Sequence, residues 1–366
     1  MLACMSKAFD TVNHKLLLKK LYIYGVRGNA HKLMESFLTN RKHQVKFNKL
    51  LSKSYLLKHG VPQGSCLGPL LYNIYTIDVE NALTDCNLTI YADDLTIEIS
   101  GNNIQQLESR ANNILNVFEN YCNFNYFSIS VEKSYFMIFS NSSASQNINP
   151  SIYLCGKTLK KLQSSCYLGV HIDDKLKFRT QAEHIRSKLV MYKSISRKIN
   201  NKLPLIPSKI FYFSLIQSQI LYGLAVWGGT LFANDAHKDL QIKQDKIVKT
   251  LFSKFFPRKP LNDLYKTVNI PTIKQLYKIH ISLYLFDIIN TEKFPQLKAS
   301  MNELIFNHPY NTRKNSLLIP LNNFNNFRHN FLYNGTKIWN SIPATIKNLP
   351  KKRFKTQVKK YFISGD

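Results

Sequence analysis

Residues Asn87–Ser100 alternate apolar and polar side chains on either side of a central Ala92-Asp93-Asp94. Period-two alternation predicts a half-buried hairpin, with the two carboxylates at its tip. The pattern upstream predicts a short apolar strand, then a helix over 6–25 with Ser6 as N-cap and Leu16, Leu17, Leu18 and Leu21 as its stripe. A second helix over 28–40 follows, then paired strands over His43–Asn48 and Ser54–Lys58. Gly60–Ser65 reads as a turn into an apolar helix that runs to Val79. After the hairpin, Ile104, Leu107, Ala111, Ile114, Leu115 and Phe118 fall on one helical face. Strands are expected over Ser134–Ser140 and Ser151–Tyr153, separated by a polar loop over 141–150.

Beyond Tyr167–Asp174 the period becomes helical, with helices expected over 180–200, 207–226, 236–252 and 273–290 and a break at Pro257–Pro260. The stretch 301–366 is rich in Asn and Lys, and Lys351–Tyr361 reads as a basic amphipathic helix. No internal repeat is visible. Ile210–Asn234 carries no charge and is long enough to span a bilayer. Ser214, Gln217, Ser218 and Gln219 interrupt it, so a buried helix ending near Gly228-Gly229 is expected and no membrane contact.

The chain has 366 residues, and 44% hydrophobic and 12% aromatic content argues for folded domains. Its 50 Lys and Arg against 22 Asp and Glu leave a net charge of +28. Such an excess repels itself unless a polyanion is near, and nucleic acid is the usual partner. A generically basic protein, or one resting on an anionic membrane, is the alternative. The six cysteines form no CxxC pair, which speaks against a zinc ribbon or disulfide scaffold and for a reducing intracellular compartment, nuclear or cytoplasmic. The first residues contain no apolar core of a signal peptide.

Adjacent aspartates on a rigid turn repel each other and invite a divalent cation, although Asp-Asp is also ordinary turn chemistry. The order of motifs decides between these. Ser6–His14 comes first, then Gly60-Val-Pro-Gln-Gly-Ser-Cys-Leu-Gly-Pro69, then Tyr91-Ala-Asp-Asp94, then Glu132-Lys133-Ser134 opening a strand, then Tyr167-Leu168-Gly169. This ordered set resembles the reverse transcriptases of non-LTR, LINE-type, jockey-like retrotransposons. Leu221–Gly228, Tyr310–Arg313 and Lys337–Pro343 are similar to segments downstream of the polymerase domain in those elements.

The resemblance implies an α+β chain. A palm of antiparallel sheet with helices on one face, with partial fingers, would occupy 1–172. A helical thumb or connection would occupy 173–295, and a basic helical C-terminal region 296–366. The implied activity is RNA-directed DNA synthesis by two-metal nucleotidyl transfer, with Mg²⁺ as cofactor and RNA template, DNA primer and deoxynucleotides as partners. Asp93 and Asp94 would be metal ligands, Phe9 the steric gate against ribonucleotides, Gln63 and Gly64 the turn beside the template, and Lys133 the general acid for pyrophosphate.

One position departs from the pattern. Where the family has Asp-Leu-Ser-Lys-Ala-Phe-Asp, this chain has Cys4-Met5-Ser6-Lys7-Ala8-Phe9-Asp10, so Cys4 stands at the third metal-ligand position. A thiol is a poor Mg²⁺ ligand, and Asp10, six residues on, is too far along the helix to replace it. Most of the fingers would also precede Met1, as in a truncated copy. An impaired polymerase is therefore expected. A basic nucleic-acid-binding remnant without catalysis, or a relic with no function, is the alternative.

Overall fold

Strands scattered from residue 2 to residue 161 come together in one sheet of the first half. They are β1 (Leu2–Ser6), β2 (Asn87–Tyr91), β3 (Asp94–Glu98), β4 (Ser128–Phe136) and β5 (Lys160–Lys161), in the order β5-β4-β1-β3-β2. The computed structural model describes residues 1–140, 148–233, 236–301, 317–319 and 331–365, without the side chains of residues 3, 4, 6, 231–233, 236 and 300. The chain divides into two units, Met1–Gln163 and Ser164–Asp366. Mixed helix and sheet agrees with the expected α+β class. The Tyr310–Arg313 motif and most of the 141–150 loop lie outside the described residues.

In the first unit every sheet pairing is antiparallel except β5 on β4, which is parallel, so the expected all-antiparallel sheet holds only for its other four strands. Met5, Leu95, Ile97 and Phe136 are buried with Leu71 and Tyr75 of helix Gly68–Thr76 and Leu115 and Phe118 of helix Ile104–Phe124. Burying each such side chain is worth ~1.5–3 kcal/mol. Asn103 caps the long helix, its side chain accepting from the Gln106 amide at 2.8 Å.

The expected helix over 6–25 is two helices, Ala8–Thr11 and His14–Ile23. Ser6 ends β1 and Lys7, at φ +49°, precedes the first turn, so Ser6 is not the N-cap. Val12 leaves the helix at φ −53° and ψ 119°, and Asn13 bridges to His59 and caps the second helix by accepting from the Leu16 amide at 3.1 Å. The helix expected to run through Val79 ends at Thr76, with a separate turn Val79–Ala82. The strand expected over Ser134–Ser140 is Ser128–Phe136, drawn upstream by its pairing with β1. Residues 42–56 form one irregular hairpin in two pieces, Lys42–His43 against Tyr55–Leu56 and Lys46–Phe47 against Leu50–Leu51.

Lys20 is 7% exposed and ties three helix ends together. Its ammonium donates to Tyr75 O at 2.6 Å, Asn125 Oδ1 at 2.7 Å and Asp78 Oδ1 at 2.8 Å. Tyr121 Oη also donates to Asp78, at 2.8 Å, so the buried charge has its partner and its donors are used.

The second unit opens with the hairpin Ser164–Tyr167 and Val170–Asp173. Leu168 and Gly169 both have positive φ, +45° and +79°, the signature of a type I′ connection. Helices follow at Arg179–Ile199, Ala236–Phe252, Leu261–Val268, Ile273–Asn290 and Lys351–Ser364. Thr272 and Gln275 form a capping box that starts the fourth of these. The short helix Leu261–Val268 is an addition to the expected set, although Leu261, Leu264, Tyr265 and Val268 carry a helical spacing right after Pro260.

The apolar stretch expected as one helix over 207–226 is broken. It runs Leu205–Phe211, a π-helical turn Tyr212–Gln217, Ser218–Leu221, and then Leu224–Ala233 after a bend of 66°. Tyr212, Ile216, Ile220, Leu224 and Trp227 are fully buried, so its hydrophobicity serves the core. No single helix among the described residues is long and apolar enough to cross a membrane; that bent pair alone passes on length and composition. The bend is held by Gly223 at φ +63°, and Trp227 Nε1 donates to Tyr222 O at 2.9 Å. Tyr222 Oη donates to Leu168 O at 2.6 Å, joining the Tyr167–Gly169 and Leu221–Gly228 motifs.

Candidate active site

Tyr91 and Asp94 are the last paired residues of the β2–β3 hairpin, leaving Ala92 and Asp93 as its two-residue turn. Ala92 sits at φ +53°, a left-handed conformation that costs a non-glycine residue roughly 1 kcal/mol. Asp93 is exposed at the tip and Asp94, the first residue of the return strand, is half-buried. Leu95 and Ile97 are buried in the core, so alternation assigns Asp94 and Thr96 to the opposite face of the sheet. Partial burial, and then the neighbouring Asp93 charge, push the Asp94 carboxyl above its ordinary value.

The hairpin is fastened to β1 by its own backbone. Cys4 pairs with Asp94 and Ala3 with Leu95, and the Met5 amide donates to Asp93 O at 3.3 Å. Antiparallel partners share a face, so position 4 is on the Asp94 face of the sheet.

Phe9 is half-buried and stacks on Tyr72, with ring centroids 4.3 Å apart at 19°. The Phe9 carbonyl accepts from the Val61 amide at 2.9 Å, and the Val12 carbonyl from the Gly60 amide at 2.8 Å. These bonds press the turn at 60–65 against helix Ala8–Thr11. Gly60 is required there, because a Cβ would lie 2.9 Å from Asp10 O. Gln63 Nε2 donates to Asp10 Oδ1 at 2.8 Å, which gives Asp10 a role the motif did not foretell. Gly64 is exposed at φ +81° with open space where a side chain would stand. Gly68 is closed in, with a Cβ only 2.7 Å from Pro62 O.

Lys133 is exposed and does not open a strand. It lies within β4, where the register on β1 slips between Cys4↔Ser130 and Leu2↔Tyr135. Ser134 Oγ donates to Ser130 O at 2.8 Å across that irregularity. Two clusters therefore emerge: Asp93 and Asp94 beside position 4, and Phe9 with Gln63 and Gly64. Of the supports of the second cluster, Tyr72 was not singled out by the sequence, since an apolar-helix tyrosine looks generic, and Asp10 was weighed there only as a metal ligand. Among the described residues no three His, Cys, Asp or Glu side chains gather as a metal site, so the carboxylate pair is what the hairpin offers a hard cation.

Residues 3–172 match the family of the reverse transcriptase (RNA-dependent DNA polymerase). The chain is 26% identical over 297 residues to a probable RNA-directed DNA polymerase from transposon BS of Drosophila melanogaster, covering 76% of this chain and 32% of that protein. It is 27% identical over 260 residues to the RNA-directed DNA polymerase from mobile element jockey of Drosophila funebris, covering 68% of this chain and 27% of that protein. The Drosophila melanogaster jockey polymerase gives 28% over 261 residues, with the same coverage. The chain thus spans about a third or less of the length of these relatives. Residues 3–172 thus match the reverse transcriptases, and the relatives named here are RNA-directed DNA polymerases of LINE-type, non-LTR mobile elements.

Proposed function

We infer that the first unit is a palm built for RNA-directed DNA synthesis, and that it lacks one of the three carboxylates this chemistry uses. The observation that carries the reading is the register Cys4↔Asp94. Paired Cα atoms of antiparallel strands lie about 4.5–5.5 Å apart, so an aspartate at position 4 would share an ion with Asp94. Asp93 and Asp94 are the residues that would hold Mg²⁺, and two bound ions supply activation of a primer 3′-hydroxyl and charge stabilisation for leaving pyrophosphate. The fit is partial. The raised Asp94 carboxyl and its repulsion by Asp93 favour an added cation, whereas a thiol at position 4 offers such a cation little.

Other roles follow from the same reading. Phe9, held flat against buried Tyr72, is a rigid ring suited to excluding a 2′-hydroxyl. Gln63, oriented by Asp10, and the open backbone of Gly64 suit a turn beside template and incoming base. Lys133 would supply its amine to the leaving group. Residues 173–295 would serve as thumb or connection and 296–366 as a basic C-terminal region.

Titration with Mn²⁺, read by the paramagnetic resonance of the free ion, tests the site without requiring turnover. Cys4→Asp should tighten binding on the order of tenfold, because ligand charge sets affinity for hard cations. Asp93→Asn with Asp94→Asn should abolish the binding. Mn²⁺ affinity indifferent to all three changes would remove this reading. Cys4 itself favours a second one, a nucleic-acid-binding protein without catalysis. Helix Lys351–Ser364 supports that reading, with Lys352, Arg353, Lys355 and Lys360 exposed while Phe354, Val358 and Phe362 are buried.

A further inference from the structure

Every residue from Lys42 to Leu56 is exposed, and none of them joins the core of the first unit. The segment is nonetheless a formed hairpin. The Ser52 amide donates to Val45 O and the Val45 amide to Ser52 Oγ, both at 2.9 Å, bridging its two paired pieces. A two-stranded ribbon packed on nothing is marginal in water. This one also exposes six apolar side chains, Val45, Phe47, Leu50, Leu51, Tyr55 and Leu56, with Phe47 73% and Tyr55 58% accessible.

Its charge is one-sided. Residues 41–58 hold Arg41, Lys42, Lys46, Lys49, Lys53 and Lys58 and not one carboxylate. None of these six cations enters an ion pair among the described residues. Across the ribbon, the His43 and Tyr55 rings lie 6.2 Å apart. Exposed rings set among unpaired cations match a partner that carries both flat faces and negative charge. An acidic protein would meet the cations but not the rings, and an apolar protein surface would strand the cations.

We propose that the hairpin 41–58 is an arm that grips single-stranded nucleic acid, with Phe47 and Tyr55 as stacking platforms for unpaired bases and the lysines on the phosphates. Its base runs straight into the Gly60–Gly64 turn, which is pinned to Phe9 and Val12, so a strand on the arm is continuous with the turn assigned to the template. This rests on the template-binding reading of that turn and adds a second, separate hold on the strand.

The test is fluorescence anisotropy of the full chain with a labelled 20-nucleotide single-stranded RNA over a range of salt concentrations. Replacing Lys42, Lys46, Lys49 and Lys53 by Gln should flatten the slope of log affinity against log salt by roughly 0.7 for each phosphate that is no longer neutralised. Phe47→Leu, which keeps the apolar area and removes the ring, should weaken binding roughly five- to a hundredfold with the slope unchanged, and Phe47→Trp should retain it. Because the arm contributes nothing to the core, all variants should keep the wild-type circular dichroism and melting temperature. Steep wild-type binding that the arm variants leave intact, or that falls only with glutamines at Lys352, Arg353, Lys355 and Lys360, would overturn the arm alone. Absence of salt-dependent binding by the wild type would overturn the template-binding reading with it. Equal loss of binding to vesicles of phosphatidylcholine and phosphatidylserine, with no RNA affinity, would assign the arm to a membrane surface and overturn the proposal.

Discussion

Asp94 holds its proton more tightly in the folded chain than an exposed carboxylate does, through partial burial and the Asp93 charge. Its folded value lies above the unfolded one, so its contribution to stability is complete at low pH. That contribution is lost as pH rises through the raised value. Asp94→Asn removes this loss and should raise the melting temperature near neutral pH by about 1–3 °C, while Mn²⁺ binding falls; thermal scans at pH 4 and pH 7 check it, with the gain confined to the higher pH. By the same sign, Mn²⁺ affinity of the wild type should climb as pH rises through that value. Ala92 offers a second test at the tip. Its φ of +53° suits glycine, so Ala92→Gly should stabilise the first unit by up to about 1 kcal/mol, and a loss of stability in denaturant titration would contradict the strain. The aspartates and their turn were legible from alternation alone. The neighbour at position 4 came only from the family resemblance, because no local pattern records which distant strand pairs with a five-residue segment.

At the scale of elements, the first unit depends on helix ends that converge on Lys20. Lys20→Met leaves Asp78 without its cation and should destabilise that unit by about 3 kcal/mol, part of which Asp78→Asn should restore in the double variant. Additive effects in chemical denaturation would contradict a shared network. In the second unit, Gly223→Ala faces both a left-handed φ and a Cβ 2.7 Å from Val170 Cγ2, and should cost about 1–3 kcal/mol. The helices Ala236–Phe252 and Ile273–Asn290 were legible to the residue, since amphipathic spacing and a capping box are local signals. The broken helix at Tyr222-Gly223 was hidden, because apolar composition hides a bend that a glycine and a distant carbonyl impose. Lys20 was hidden for a related reason: a lysine beside a leucine stripe reads as solvent-facing until the other two helix ends are placed around it.

On the scale of the whole molecule, a charge of +28 favours a polyanionic partner, and in the function proposed above its binding should weaken steeply with salt. The resemblance was legible because its motifs come in a fixed order, even at identities of 26–28% to the relatives. Catalytic competence is a separate matter, and in the function proposed above it turns on position 4 of β1. Primer extension on an RNA template with Mg²⁺ and deoxynucleotides measures it directly. The wild-type chain should give no incorporation above background, because a thiol at position 4 would leave the hairpin carboxylates short of the third ligand proposed above. Robust incorporation that Asp93→Asn or Asp94→Asn abolishes would show that Cys4 does not disable the site, and would contradict the account.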